Sequence, residues 1–157
     1  MKRIAGDFDI VLCPDGHFRF AHLRGHRIIL SFYGRPNCSA CIAKYEKRLA
    51  LPEDVKKDLF LFAVFFGYRQ EYKEVISPGR GVIELFDPAG NVYRAYCPSL
   101  PAPKDSSREN VRPAAPYCVF PVDFMIDESL VICRSTSGLP GCLTNEEITA
   151  FARAPKS

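Results

Sequence analysis

The sequence has no long run of apolar residues and no apolar segment behind its basic N-terminus. Hydrophobic residues make up 47% of the 157 residues, yet no apolar stretch approaches the roughly 20 residues that a membrane-spanning helix needs. The basic start at residues 1–7 does not lead into the apolar core of a signal peptide. We therefore predict a single domain, residues 1–157, that is soluble and cytoplasmic unless a leader has been removed.

The sequence also lacks a patch of charge of one sign. Its formal net charge is +3, and basic residues are scattered among acidic ones. Even the densest basic group, Lys44, Lys47 and Arg48, has Glu46 inside it, and we predict that it forms the solvent-facing side of a helix. Nucleic acids and anionic membranes are bound by clustered basic residues. We therefore expect neither a nucleic acid nor a membrane among the partners.

Cysteine is plentiful, but a second pair of cysteines with metal-binding spacing is missing. Of the seven cysteines, only Cys38 and Cys41 have a recognised spacing, with two residues between them. A zinc site needs a second pair of ligands with similar spacing, and the three histidines lie on a different predicted hairpin. We therefore predict no metal and no cofactor. Cys38 and Cys41 are then either a redox-active pair or two incidental core thiols.

Several of the other cysteines lie around a segment of unusual composition. Residues 98–116 contain five prolines among polar and charged residues, which predicts a surface insertion. A disulfide between Cys97 and Cys118 would close a loop of about 20 residues around it. Cys133 could pair with Cys142 across the turn before the last helix. The alternative is that these cysteines are small buried side chains in a reducing compartment.

Short apolar strands alternate with helical patterns early in the chain, and a hairpin and a helix close it. Thr144 and Glu147 form the S/T-x-x-E capping box that marks a helix start. The order predicts an α/β fold with a mixed central sheet, flanking helices on both faces and an N-terminal β-hairpin. The predicted strands are residues 8–13, 18–22, 28–33, 59–66, 82–86, 122–126 and 130–134. The predicted helices begin at residues 38, 68 and 144, the first of them ending before Pro52, and residues 92–96 are ambiguous.

The position of Cys38 matters more than the spacing of the pair. Cys38 follows a predicted buried strand and a Gly/Pro turn, and it opens a predicted helix. The first helical turn has unpaired N–H groups and a partial positive charge, and both lower the pKa of a cysteine placed there. Cys41 lies one turn further, on the stripe of Tyr45 and Leu49, and should be the more buried sulfur. We predict that Cys38 attacks a disulfide and that Cys41 resolves the mixed disulfide.

Three segments carry a resemblance to a known family. Residues 25–33 are similar to the strand that delivers the active site, residues 85–96 to the segment "D-x-x-G-x-x-x-x-x-Y", and residues 121–127 to the penultimate strand "P-x-x-F-x-I-D". On these segments the chain resembles the alkyl hydroperoxide reductase/thiol-specific antioxidant superfamily, which includes peroxiredoxins and their dithiol relatives. The resemblance implies a thioredoxin-like fold over nearly the whole chain, with a site of the Cys-x-x-Cys type.

The resemblance also implies a role for Pro121. The family's thiol oxidoreductases have a cis-proline at the start of the penultimate strand, facing the dithiol, and Pro121 matches it. A cis X–Pro bond there would present the backbone of Phe120 to an extended substrate. Phe120 and Pro121 are therefore predicted to bind substrate. The alternative is an ordinary trans proline at the start of a strand.

The chain departs from the patterns of both peroxiredoxins and thioredoxins. When the peroxiredoxin motif P-x-x-x-T-x-x-C is placed on Cys41, its threonine falls on Cys38 and its proline on Gly34. The arginine that peroxiredoxins carry near the later strand falls on Pro121. The buried acid that thioredoxins hold before the dithiol falls on Phe32. These replacements disfavour efficient peroxide chemistry and remove a proton acceptor known from thioredoxins.

Together these features predict a thiol-disulfide oxidoreductase with an antioxidant or redox role. It would use Cys38 and Cys41 to exchange disulfides with protein or small-molecule substrates, and an external thiol reductant would recycle it. The first alternative is a peroxiredoxin-like peroxidase that reduces hydroperoxides. The second is a redox-inert binding module that keeps the fold and binds a partner through residues 98–116.

Overall fold

The computed structural model describes residues 3–4, 9–13, 16–76, 81–96, 121–137 and 142–156. The predicted insertion at residues 98–116 lies outside them, as do Cys97, Cys118 and Phe120. The strands are β1 (Arg3–Ile4), β2 (Asp9–Cys13), β3 (Gly16–Arg19), β4 (Arg27–Tyr33), β5 (Leu59–Phe65), β6 (Val82–Phe86), β7 (Val122–Ile126) and β8 (Val131–Ser137). The α-helices are α1 (Ser39–Leu49), α2 (Glu53–Asp58), α3 (Arg69–Tyr72), α4 (Asn91–Tyr96) and α5 (Asn145–Arg153).

Six of the described strands form one mixed sheet in the order β1-β8-β7-β4-β5-β6. β4, β5 and β6 run parallel, whereas β7 pairs antiparallel with both β4 and β8. β2 and β3 form a separate antiparallel hairpin near the N-terminus. The predicted mixed sheet and the predicted hairpin are therefore confirmed.

β4 lies inside the sheet with both of its faces covered. All seven of its residues are buried. Phe32 packs with Tyr93 and Tyr96 of α4 on one face, whereas Tyr33 packs with Tyr45 of α1 on the other. Burial of both faces accounts for the continuous apolar sequence of this strand. The chain leaves this buried strand at Tyr33 and enters α1 at Ser39, so α1 begins near that end of the sheet.

The second strand of the hairpin is shorter than predicted. β3 ends at Arg19, and Phe20–Leu23 form a single 3₁₀ turn. Phe20 and Leu23 are 0% and 5% exposed, and such a turn brings residues three apart onto one side. The prediction of a strand through His22 is wrong because the residue buried together with Phe20 is Leu23, three positions further on, whereas His22 is exposed.

The short helices α2 and α4 are marked by acidic residues at their starts and not by a pattern of apolar residues. α2 begins after Pro52 and has Glu53 and Asp54 in its first turn, where the helix dipole favours acidic residues. α4 occupies the ambiguous stretch and follows the turn at residues 87–90. The buried carboxylate of Asp87 caps α4 by accepting the N–H groups of Asn91, Val92 and Tyr93 at 2.8, 3.0 and 3.2 Å.

The helix predicted from the capping box is confirmed as α5. The hydroxyl of Thr144 accepts the N–H of Glu147 at 3.1 Å, and the carboxylate of Glu147 accepts the N–H of Thr144 at 3.1 Å. Ile148 and Ala152 are buried with Val55 of α2 on the side of the sheet that faces α1. The sheet therefore has α1, α2 and α5 on one face and α4 on the other.

Candidate redox site

The two cysteines of the Cys-x-x-Cys motif lie at the start of α1. Residues 34–37 connect the end of β4 to Cys38, which is the N-cap of the helix. The Cys38 Sγ accepts the N–H of Cys41 at 3.3 Å. The sulfur thus takes the place of the side-chain oxygen found at most helix N-caps, at the positive end of the helix dipole.

A disulfide joins Cys38 and Cys41 in this structure. Their Cα atoms are 5.3 Å apart, which lies within the usual range for disulfides. Cys38 is half-buried, whereas Cys41 is 0% exposed. The prediction that Cys41 is the inner sulfur is therefore confirmed. Of the two residues, Cys38 is the one that a partner molecule can reach.

The inner sulfur has a polar contact within a mostly aromatic cluster. The N–H of Gly34, the first residue after β4, donates to the Cys41 Sγ at 3.3 Å. This donor comes from the loop that connects β4 to α1. The aromatic side chains clustered with Cys41 are Tyr33, Tyr45, Phe65 and Tyr72.

Pro121 lies at the same end of the sheet as the dithiol. In the antiparallel register of β4 and β7, Phe32 pairs with Val122. The preceding residue, Pro121, is therefore level with Tyr33, the last residue of β4, and it is buried. Phe120 lies outside the described residues, so the isomer of the bond before Pro121 stays a prediction. The register does place Pro121 at the end of the sheet where the loop to Cys38 begins.

The face of the sheet beneath α1 does hold a buried carboxylate, but not at the position expected from thioredoxins. Phe32 points to the opposite face from Cys41. Its neighbour Ser31 is buried, and the Ser31 hydroxyl donates to Oδ1 of Asp123 at 2.5 Å. Asp123 is 0% exposed and is the register partner of Ser31. The carboxylate therefore comes from β7, two residues after Pro121, and not from β4.

Asp123 belongs to a buried network that includes an arginine of α1. Arg48 Nη2 donates to Asp123 Oδ2 at 2.9 Å and to the Leu143 carbonyl at 2.6 Å. The Leu143 N–H donates to the same carboxylate at 2.9 Å. This network ties the helix that carries Cys41 to the strand that follows Pro121.

The prediction that Arg48 faces solvent is wrong. Its side chain is 4% exposed in the ion pair with Asp123, and Arg48 Nε is buried with no hydrogen-bond partner among the described residues. Cys41, Tyr45 and Arg48 are spaced by four and three residues, so they share one side of the helix. That spacing is the signal in the sequence that could have identified Arg48 as a buried residue.

Several solved structures match the chain over nearly its full length. The exposed lipoprotein thioredoxin Etrx1 of Streptococcus pneumoniae has a TM-score of 0.63 at 18% identity, covering 94% of this chain and 98% of its own. A Chlorobium tepidum protein assigned as the thiol:disulfide interchange protein DsbE has a TM-score of 0.64 at 16% identity, covering 96% of each chain. StoA of Bacillus subtilis has a TM-score of 0.61 at 13% identity, covering 96% and 98%. The chain has the thioredoxin fold.

Similarity at these identities establishes the fold and not the activity. No protein-family model matches the sequence, and no curated protein matches it. The thioredoxin fold implied by the sequence resemblance is confirmed, whereas the peroxiredoxin-like branch of that superfamily stays a prediction. Within the thioredoxin fold, Cys38, Cys41 and Pro121 lie at one end of the central sheet.

The cysteines outside the motif do not all follow the prediction. Cys133 and Cys142 are free thiols, so the suggested disulfide between them is not formed. Cys142 is buried, at 5% exposed, which confirms the alternative of a small core side chain. For Cys133 that alternative is wrong, because this residue is exposed on β8. A pairing of Cys97 with Cys118 lies outside the described residues.

Metal-ligand clusters and membrane-spanning helices are both absent from the described residues. In that part of the chain, no group of three or more His, Cys, Asp or Glu side chains is placed to hold a metal ion. No helix within the same stretches is long and apolar enough to cross a membrane.

Proposed function

We propose that the chain is a thiol-disulfide oxidoreductase in which Cys38 is the nucleophile and Cys41 the resolving thiol. The observation that carries the proposal is the pairing of an accessible N-cap sulfur with a buried sulfur one turn further along α1. The resemblance of the fold to proteins named as thioredoxins and thiol:disulfide interchange proteins supports it.

The reaction needs two exchange steps that leave the electron count balanced. In the first, the Cys38 thiolate attacks one sulfur of a substrate disulfide, and the other substrate sulfur leaves as a thiolate that takes up a proton. In the second, the Cys41 thiolate attacks Cys38 Sγ and displaces the remaining substrate thiolate. The substrate gains two electrons and two protons, and the chain ends as the Cys38–Cys41 disulfide. An external dithiol reverses both steps and regenerates the reduced form.

The helix start accounts for the choice of Cys38 as the nucleophile. The N–H of Cys41 donates to Cys38 Sγ, and a hydrogen bond to a charged acceptor is stronger than one to a neutral acceptor. The helix dipole favours negative charge at the same point. Because the thiolate is the attacking species, both effects increase the reactive fraction of the residue that is also the more accessible one.

The substrate would approach across Cys38 toward the start of β7. In this proposal, the backbone before Pro121 pairs with an extended segment of a protein substrate, as when a strand is added to a sheet edge. Phe120 and Pro121 are then substrate-binding residues, and their role does not depend on the substrate's side chains. Small disulfides would use Cys38 without this contact and should react more slowly than protein disulfides.

Oxidation of the reduced chain is expected to remove the thiols of Cys38 and Cys41 together, because they are already within bonding distance. Trypsin cuts after Arg27 and Lys44 but not between Arg35 and Pro36, so both cysteines fall in the peptide of residues 28–44. We expect mild oxidation to lower the mass of this peptide by two hydrogens. Mass spectrometry under non-reducing conditions measures this change. If the two thiols instead remain separately alkylatable, the proposal fails and the redox-inert binding module is favoured.

The peroxidase alternative is separated by comparing two substrates. We expect the reduced chain to accelerate reduction of a protein disulfide such as insulin, and to consume hydrogen peroxide slowly. The expectation follows from Cys38 and Pro121 standing where peroxiredoxins hold the residues that bind and polarise peroxide. Consumption of peroxide faster than reduction of insulin would reverse this ranking.

We also propose a cytoplasmic location for the chain, and cell fractionation tests this proposal.

A further inference from the structure

We propose that Tyr72 is a positioning residue for the resolving step, because it holds the backbone of Gly34 so that the Gly34 amide points at the sulfur of Cys41. The inference rests on the dithiol exchange proposed above and adds a residue to it. The Tyr72 hydroxyl donates to the Gly34 carbonyl at 2.7 Å, and this bond is buried. The Gly34 N–H in turn donates to Cys41 Sγ at 3.3 Å.

Gly34 is held through both of the peptide units that it joins. The carbonyl of Tyr33, in the unit before Gly34, accepts the N–H of Phe66 at 3.3 Å, and the N–H of that same unit reaches the sulfur. The carbonyl of Gly34, in the unit after it, accepts the Tyr72 hydroxyl. A glycine has no side chain to restrict its own backbone. The direction of its amide therefore depends on these external hydrogen bonds.

Tyr72 is firmly fixed in the position that this role requires. It is 0% exposed, and its ring lies 4.8 Å from that of Phe65 and 5.8 Å from that of Phe86, measured between centroids. Burial and the negative charge of Glu71 raise the pKa of Tyr72 above its ordinary value. The hydroxyl therefore stays protonated and remains a donor throughout the range in which thiols exchange.

The turn after β5 is shaped to admit the tyrosine. A Cβ atom on Gly67 would lie 2.9 Å from the ring of Tyr72 and 2.6 Å from a carboxylate oxygen of Glu71. Atoms do not approach so closely unless one of them shifts, and the Tyr72 ring is held by its packing against Phe65 and Phe86, so glycine favours this packing. Glu71 is itself fixed, because it accepts the N–H of Tyr68 at 2.6 Å.

The contact with the sulfur gains importance when Cys41 becomes charged. A hydrogen bond to a thiolate is stronger than one to a thiol or a disulfide sulfur, so the Gly34 amide favours the form of Cys41 that attacks Cys38. Without the Tyr72 hydroxyl, the buried Gly34 carbonyl loses its partner, which is costly for a buried backbone group. The peptide unit after Gly34 would then turn to find another partner. Because glycine does not restrict rotation about its own Cα, this turn would shift Gly34 and move its N–H away from the sulfur.

The test follows the two exchange steps separately. Reduced protein is mixed with excess glutathione disulfide, quenched in acid at set times and digested, and the peptide of residues 28–44 is weighed. The glutathione adduct reports attack by Cys38, and its conversion to the internal disulfide reports attack by Cys41. The variant is Tyr72→Phe, which removes the hydroxyl and keeps the ring. The control is Tyr68→Phe, which removes a hydroxyl from a residue that is 63% exposed.

Tyr72→Phe is expected to slow conversion of the adduct about threefold or more, which is the net effect of a rise of about one unit in thiol pKa once the accompanying rise in nucleophilicity is included. Tyr72→Phe should form the adduct at the wild-type rate. Tyr68→Phe should carry out both steps at the wild-type rates. An unchanged second step in Tyr72→Phe would overturn the proposal. Equal slowing of both steps would also overturn it, since that would indicate a purely structural role. A wild-type chain that never proceeds beyond the adduct would instead disprove the proposed function.

Discussion

Cys38→Ser is expected to abolish disulfide exchange, whereas Cys41→Ser is expected to hold substrates on the chain as mixed disulfides. The first substitution removes the only sulfur of the pair that a partner can reach, because Cys41 is 0% exposed. Turnover of a protein disulfide should fall by about a thousandfold or more, as is usual when a covalent nucleophile is lost. Insulin reduction in the presence of an excess of dithiol measures this loss.

Cys41→Ser leaves the first step intact and removes the second. Cys38 keeps its place at the helix start, and the N–H of residue 41 belongs to the backbone, so the donor to Cys38 Sγ is retained. The mixed disulfide should therefore form at nearly the wild-type rate and then persist. Non-reducing electrophoresis of a cell lysate containing this variant would display the trapped partners and name the substrates.

The matched controls are Cys133 and Cys142, both of which are free thiols. Cys133→Ser changes an exposed thiol on β8, and Cys142→Ala changes a buried one before α5, and neither should alter either step. If Cys41→Ser abolishes exchange while Cys38→Ser traps the adducts, the roles assigned to the two sulfurs are reversed. If Cys133→Ser removes activity, the chemistry lies outside the motif.

The sequence predicts well those features that depend on residues close together in the chain. The capping box of Thr144 and Glu147 and the Cys38–Cys41 pair each involve residues three apart, so their geometry follows from one helical turn. The continuous burial of β4 is also a local signal, because a strand covered on both faces reads as an unbroken apolar run. These patterns were enough to predict the mixed sheet and the end of it that carries the cysteines.

The supporting contacts could not be predicted, because they join residues that are distant in the chain. Tyr72 reaches Gly34 only because β5 runs parallel to β4, so that both strands end at the same end of the sheet. Ser31 and Asp123 meet only because β7 pairs with β4 in one particular register. The strand predicted through His22 shows the converse error. The alternating sequence pattern continues to His22, but packing against the rest of the chain turns Phe20–Leu23 into a 3₁₀ helix.

Replacement of Arg48 with methionine is expected to destabilise the fold by about 3–5 kcal/mol, the usual cost of leaving one partner of a buried ion pair alone. The side chains of Arg48 and Asp123 are 4% and 0% exposed. Arg48→Met would leave the Asp123 carboxylate with the Ser31 hydroxyl and the Leu143 N–H, but with no opposite charge. Urea unfolding of the oxidised chain measures the loss.

A second substitution should restore part of that stability. In Arg48→Met/Asp123→Asn the buried group is neutral, can still accept from the Ser31 hydroxyl, and no longer buries an unpaired charge. The double variant is therefore expected to be more stable than Arg48→Met alone. The control is the exposed pair of Arg153 and Asp54, whose atoms are 3.0 Å apart at 58% and 65% exposure, so that Arg153→Met should change stability little. Equal effects of Arg48→Met and Arg153→Met would mean that burial of the first pair adds nothing, and the network would no longer explain how α1 is held against the strand that follows Pro121.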